Sequence, residues 1–183
     1  MSGLRIAFSG SAGTGKTTLA KAVAEHLGLP YIEEGFRKRV DQGLILYKMN
    51  DAQRRDLMRD LWREQLEQEL AAAEGFVSDR SSVDFAAFWL HYALTDAESE
   101  TAEFMAEMER ETERTDRIVL CPWGVLPLVA DGVRSTNPWL QLRYHALLAG
   151  MHQRLSPPEK LLRLPESTTE FDERLKFVLA ALS

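Results

Sequence analysis

Short apolar runs alternate with helical stretches along nearly the whole chain. Leu4-Arg5-Ile6-Ala7-Phe8-Ser9 reads as a first strand. Lys16 to Leu27 follows as a helix, with Leu19, Val23 and Leu27 on one face and Gly28 as its stop. Pro30 to Glu33 predicts a short second strand. Asn50 is an N-cap candidate with Gln53 three residues on, the spacing of a capping box. The helix behind it carries Leu57, Leu61, Leu66 and Leu70, with Met58 and Trp62 widening the stripe, and ends near Gly75. Gly75 to Asp79 is a third strand, Ser82 to Leu94 an apolar helix, and Ala97 to Arg114 a strongly acidic helix with a solvated face. Arg117 to Cys121 is a fourth strand. After a loop with Pro122, Pro127, Gly132 and Pro138, Trp139 to Leu155 is helical, Lys160 to Leu164 is a fifth strand and Thr169 to Leu182 a closing helix.

Five strands separated by helices imply an α/β domain with a mostly parallel sheet and helices on both faces. With 183 residues and no linker or repeat, residues 1–183 read as one domain. Ligands of such sheets bind beyond the carboxyl ends of the strands. The places to look are therefore the segments after residues 9, 33, 79, 121 and 164.

Composition narrows the partners. A formal net charge of -6 argues against a dominant nucleic-acid surface, which needs clustered positive charge. One cysteine, Cys121, excludes an internal disulfide and a cysteine zinc site, and its apolar setting reads as a buried strand residue. His26, His91, His145 and His152 show no metal-ligand spacing. The chain shows no signal-peptide pattern and no membrane-length apolar run, so the expected location is cytoplasmic, away from membranes.

The chemistry starts between the first strand and the first helix. Gly10-Ser11-Ala12-Gly13-Thr14-Gly15-Lys16-Thr17 matches G-x-x-x-x-G-K-[ST]. Its glycines let the backbone turn tightly and aim N–H groups at phosphate oxygens. The helix that begins at about Lys16 adds its positive dipole end. Lys16 is expected to reach the β- and γ-phosphates, and the Thr17 hydroxyl to ligate Mg²⁺. Average residue usage gives a chance match roughly once in a hundred chains of this length. The strand before it and the helix after it supply the context the motif requires. The expected ligands are ATP and Mg²⁺, held by Gly10, Ser11, Ala12, Gly13, Thr14, Gly15, Lys16, Thr17 and the adjoining Thr18.

Charged residues gather at the other strand ends. Asp79 closes the third strand, where an acid can hold Mg²⁺ with Thr17; cap-forming Ser78, Ser81 and Ser82 leave a turn or N-cap role open. Glu33 and Glu34 close the second strand, and alternation turns one of them to the site. Glu34 is preferred as the base that takes a proton from an attacking hydroxyl, or as a ligand for substrate hydroxyls. Arg37, three residues on, falls on the substrate side. Arg80 stands directly beside the site. A lid segment at about 122–143 holds Asp131-Gly132-Val133-Arg134-Ser135 and Arg143; Arg134 is a candidate to stabilise the transferring phosphoryl group and Arg143 to bind substrate. Phe85, Phe88, Trp89 and Tyr92 follow Arg80 at helical spacing. Most belong to a core, and Phe85 is a candidate to stack on a substrate ring.

On these residues the chain resembles the nucleoside and nucleotide kinase branch of P-loop proteins. It is especially similar to small AAA-domain-like kinases such as the ribosylnicotinamide kinase domain. Gly10 to Thr17, the Asp79-Arg80-Ser81 triplet and the Asp131 to Arg134 lid segment carry the resemblance, and the triplet is similar to that of deoxynucleoside kinases. The resemblance implies a three-layer P-loop fold with a five-stranded parallel sheet in the order 2-3-1-4-5. It implies adenine near Leu164 to Ser167, and an acceptor site between Glu34, Arg37 and the helix after Arg80. The chain departs from the deoxynucleoside kinases in ending its second strand with Glu33-Glu34-Gly35 rather than Glu-Pro, and in lacking an arginine-dense lid.

Three functions stay open at this point. The first is an ATP-dependent kinase acting on a nucleoside- or nucleotide-like small molecule. The second is a kinase acting on a modified base or an end within DNA or RNA, where Arg37, Lys38, Arg39, Lys48, Arg54, Arg55 and Arg59 would meet the backbone. The third is an ATP-binding switch that transfers nothing. A homodimer stays open as a partner.

Overall fold

The computed structural model describes residues 3–128 and 137–182. The chain runs β1 (Arg5–Ser9), α1 (Lys16–Leu27), β2 (Tyr31–Ile32), α2 (Gly35–Asp41), α3 (Asp51–Ala71), β3 (Phe76–Ser78), α4 (Ser82–His91), α5 (Glu98–Glu111), β4 (Arg117–Leu120), α6 (Pro138–Leu155), β5 (Leu161–Arg163) and α7 (Phe171–Leu182). The five strands form one parallel sheet in the order β2-β3-β1-β4-β5. That is the order the resemblance implies.

Alternation along β1 divides the core. Ile6 and Phe8 face α1 and α7, where they pack with Leu19, Val23 and Val178. Ser9 faces the other way, toward α6. On that second face Leu120 packs with Val83 and Ala87 of α4 and with Tyr144 and Leu148 of α6. A third cluster, Leu57, Trp62, Phe85, Trp89, Phe104 and Met108, joins α3 and α5 to the outer side of α4. The acidic helix α5 thus buries Phe104 and Met108 and leaves Glu98, Glu103 and Glu109 exposed.

Local chemistry sets the ends. Gly28 stops α1 in the left-handed region at φ 65°, and its N–H reaches back to Ala24 and Glu25. Asn50 and Gln53 form the expected capping box at the start of α3. Helix α4 ends at His91, three residues before the expected Leu94, because Ala93 turns to φ 55° and the Leu94 N–H returns to the Trp89 carbonyl. Helix α3 ends at Ala71, short of Gly75. The seven-residue α2 is too short to leave an apolar period in the sequence, which is why it was not expected.

Candidate active site

Residues 10–17 join β1 to α1 at the carboxyl edge of the sheet. Gly13 and Gly15 sit at φ 77° and 72°, a region that side chains avoid. Space is as restrictive as conformation. A Cβ on Gly15 would lie 2.8 Å from Leu126 and 3.0 Å from the Arg174 guanidinium, and one on Gly13 would collide with Leu128. The chain after β4 therefore runs directly against the loop.

The loop fits a phosphate group on its own evidence. The Ala12 N–H points out of it and donates to Oε1 of Gln141 at 3.2 Å, so an oxygen already occupies one anion position. The Ser11 hydroxyl is buried without a hydrogen-bond partner among the described residues. The first N–H groups of α1 lack intrahelical acceptors, as in any helix. Lys16 is buried.

Lys16 pairs with Asp79, which follows β3. The other oxygen of Asp79 accepts from the Thr17 hydroxyl at 2.5 Å and from the Tyr31 hydroxyl at 3.1 Å. Burial pushes the Asp79 carboxyl up, but Lys16, Arg80 and these hydrogen bonds outweigh it and hold the group below the ordinary aspartate value. A hydroxyl and an ionised carboxylate side by side at the phosphate loop are hard oxygen donors, the set that suits Mg²⁺.

Arg80 is the hub of the second cluster. Its Nε and one terminal nitrogen grip Oε1 of Glu34 at 3.0 and 2.8 Å. Its other terminal nitrogen donates at 2.9 Å to both the Gly10 carbonyl and Oδ1 of Asp84. Its guanidinium also lies 4.9 Å above the Phe88 ring. Asp84, fully buried, accepts from the N–H and hydroxyl of Ser81 as part of the α4 capping box. Burial acts against ionised Asp84, and Arg80 reverses the balance and lowers its pKa. One guanidinium thus fixes β2, the start of the phosphate loop and the start of α4 together.

The two glutamates follow β2, and Glu34 is the residue before α2. Glu34 is buried, whereas Glu33 is exposed and 3.9 Å from Lys21. Glu34 and Arg80 form the floor of a cleft of about 570 Å³, within the range of small-ligand sites. Ala12, Gln141 and Arg143 line its phosphate-loop side, and Phe36, Val40, Leu44 and Leu46 its far wall. Phe88, stacked on Tyr144 at 4.7 Å, lies between them. Phe85 lines a smaller side cavity with Glu34 and Arg80 and packs 5.4 Å from Trp62, so Phe88 rather than Phe85 is the ring that lines the cleft. Arg143 is exposed and donates to His91 at 3.4 Å. Arg37 is exposed on α2 and outside the cleft lining, and Thr18 is exposed behind the loop. Arg134, with Asp131 to Ser135, lies outside the described residues.

A family model of the AAA domain matches residues 5–173. The chain belongs to the AAA domain family. Among solved structures, the NadR protein in complex with NR superposes at a TM-score of 0.69 and 17% identity, over 99% of this chain and 51% of that one. NadR with NAD and AMP-PNP gives 0.67 and 16%, over 99% and 49%. The chain thus spans about half the length of these NadR chains. Deoxyadenosine kinase from M. mycoides, with dCMP and dCDP bound, gives 0.66 and 11%, over 98% of both chains. What these proteins share with this AAA domain is the fold, a parallel sheet flanked by helices. Among curated proteins no sequence match is found.

Several residues of this AAA domain's site carried little signal in the sequence. Asp84 is four residues after Arg80 and three after Ser81, a capping-box spacing that marks a helix start rather than an arginine partner. Gln141 is an ordinary polar residue of α6. Arg174 occupies an inward position of α7, one turn before buried Val178, and its Nη2 donates to the Thr14 carbonyl at 2.7 Å. His152 reaches Ser9 at 2.7 Å and Ser156 at 2.8 Å, which uses both ring nitrogens. Burial pushes it down to about 4 and keeps it neutral. The basic stretch reads differently in three dimensions. Arg39, Arg54, Arg55 and Arg59 are paired with Glu64, Asp51, Asp96 and Glu100. Among the described residues no helix is long and apolar enough to cross a membrane.

Proposed function

We propose that this AAA domain is an ATP-dependent kinase that moves the γ-phosphate to a hydroxyl of a nucleoside-like small molecule held in the cleft. The observation that carries the reading is Arg80, which joins the Glu34 carboxylate to the Gly10 carbonyl at the head of the phosphate loop. A nucleotide-binding switch has no need of a carboxylate fixed at that distance from its phosphate loop; a kinase needs one to receive a proton.

Lys16, the loop N–H groups and the end of α1 hold the negative charge of the β- and γ-phosphates. Thr17 and Asp79 hold Mg²⁺, which neutralises phosphate charge when bound. On nucleotide binding Lys16 would leave Asp79 and turn to phosphate, freeing the Asp79 carboxylate as a ligand. Glu34, oriented by Arg80, accepts the acceptor's hydroxyl proton. The acceptor oxygen bonds to the γ-phosphorus as the bridge to the β-phosphate breaks, and ADP leaves. Phe88 and the wall of Phe36, Val40, Leu44 and Leu46 make this part of the cleft apolar, which suits an uncharged ring. The carboxylates that neutralise Arg39, Arg54, Arg55 and Arg59 count against a nucleic-acid backbone as acceptor.

The test is a panel of nucleosides, nucleotides and oligonucleotides incubated with protein and γ-labelled ATP. Label transferred to a nucleoside-like small molecule is the expected outcome. Label recovered only as free phosphate, or only on oligonucleotides, would overturn the reading.

A further inference from the structure

Among the described residues Arg174 is a charge without a counter-charge. It lies in the first turn of α7, only 3% exposed. Its Nη2 donates to the Thr14 carbonyl at 2.7 Å, and Nη1 lies 3.0 Å from where a Gly15 Cβ would be. Its Nε is buried with no hydrogen-bond partner among the described residues. The thiol of Cys121 is its other polar neighbour. The acids next to it in sequence, Glu170, Asp172 and Glu173, are exposed, and among the described residues Arg174 makes no ion pair.

Other buried cations of this protein are treated differently. Lys16 has Asp79, and Arg80 has Glu34 and Asp84. A buried guanidinium with only a carbonyl and a thiol for company does not recover the cost of leaving water. Such a cost is retained where an anion from outside offsets it. The face of the loop opposite Arg174 is the one built for anions, and only the backbone of Thr14 and Gly15 separates the two. Low dielectric on the Arg174 side leaves its field unscreened.

We propose that Arg174 is a positioning residue for the nucleotide: a buried cation that acts through the Thr14–Gly15 backbone to bind the triphosphate, at the expense of the free protein's stability. Its hydrogen bond orients the loop, and its charge completes the anion site from behind. This rests on the reading of the loop as an ATP site.

The role and a purely structural one predict opposite signs in the free protein. In Arg174→Met, the melting temperature without nucleotide stays level or rises, while the Kd for ATP, measured by calorimetry, rises about tenfold or more. In Arg174→Lys, which keeps the charge, the Kd stays within about threefold of the wild type. A nucleotide-free Arg174→Met protein that melts lower or does not fold would overturn the inference. So would an unchanged Kd in Arg174→Met, or an equal loss in Arg174→Lys. If wild-type protein does not bind ATP in the same titration, the kinase reading falls and the inference with it.

Discussion

Removing Arg80 as Arg80→Met keeps the bulk of the side chain and takes away its charge. Two carboxylates then lose their shared cation: Asp84, wholly buried, and Glu34, 7% exposed. Breaking a buried pair by deleting one partner costs about 3–5 kcal/mol, because a charge stays behind without compensation. In a chain of this size that lowers Tm by on the order of 10 °C. The pH dependence is the sharper part. In the wild type the folded Asp84 pKa lies below its ordinary value of 3.8, so the pair's contribution is present above that value and is lost as pH falls through the lower, folded one. In the variant burial loses its largest opponent, the Asp84 folded pKa rises, and stability is gained as pH falls toward protonation. The deficit against wild type is therefore largest at neutral pH and narrows on acidification. Urea unfolding followed by tryptophan fluorescence at several pH values from 7.5 to 4.5 measures both curves. A deficit below about 1 kcal/mol at pH 7.5, or one that does not change with pH, would refute the argument from buried, shared charge.

Lys16→Ala abolishes phosphoryl transfer while the fold, judged by circular dichroism, persists; retained full activity would remove the loop from the mechanism. Burial raises Glu69 from 4.5 to about 7, and its hydrogen bond from Gln65 at 2.8 Å only partly counteracts this. With the folded pKa above the unfolded one, stability is full below about pH 4.5 and declines by roughly 3 kcal/mol as pH rises through 7. Glu69→Gln abolishes that decline, so it matches wild type near pH 5 and exceeds it at pH 8; parallel pH profiles would contradict the assignment.

The strands and the phosphate loop were legible because each is written locally, whereas the sheet order came with the family resemblance. Apolar runs of strand length, a G-x-x-x-x-G-K-T turn and cap residues each act within a few positions. Strand alternation said only that one of Glu33 and Glu34 turns inward, and the two lie just beyond β2. What the sequence hid was pairing at long range. The Arg80 to Glu34 bond spans 46 positions and the Arg174 to Thr14 bond 160, and neither residue type nor spacing distinguishes them from surface charges. The basic stretch misled for the same reason, since the acids that neutralise Arg55 and Arg59, Asp96 just before α5 and Glu100 within it, each lie 41 positions away. Phe88 and Phe85 share a helix and a chemistry, and only the packing of α4 between α3 and α6 decides which ring lines the cleft.

The central claim is that Glu34 takes a proton during transfer from ATP bound at the phosphate loop. Glu34→Gln keeps the shape and one acceptor oxygen for Arg80, and touches neither the loop nor the Thr17 and Asp79 pair. The decisive measurement is single-turnover transfer of labelled phosphate by this variant, with ATP affinity measured on the same preparation. The account predicts unchanged ATP affinity and a rate lower by roughly two to four orders of magnitude. An unchanged rate would contradict it.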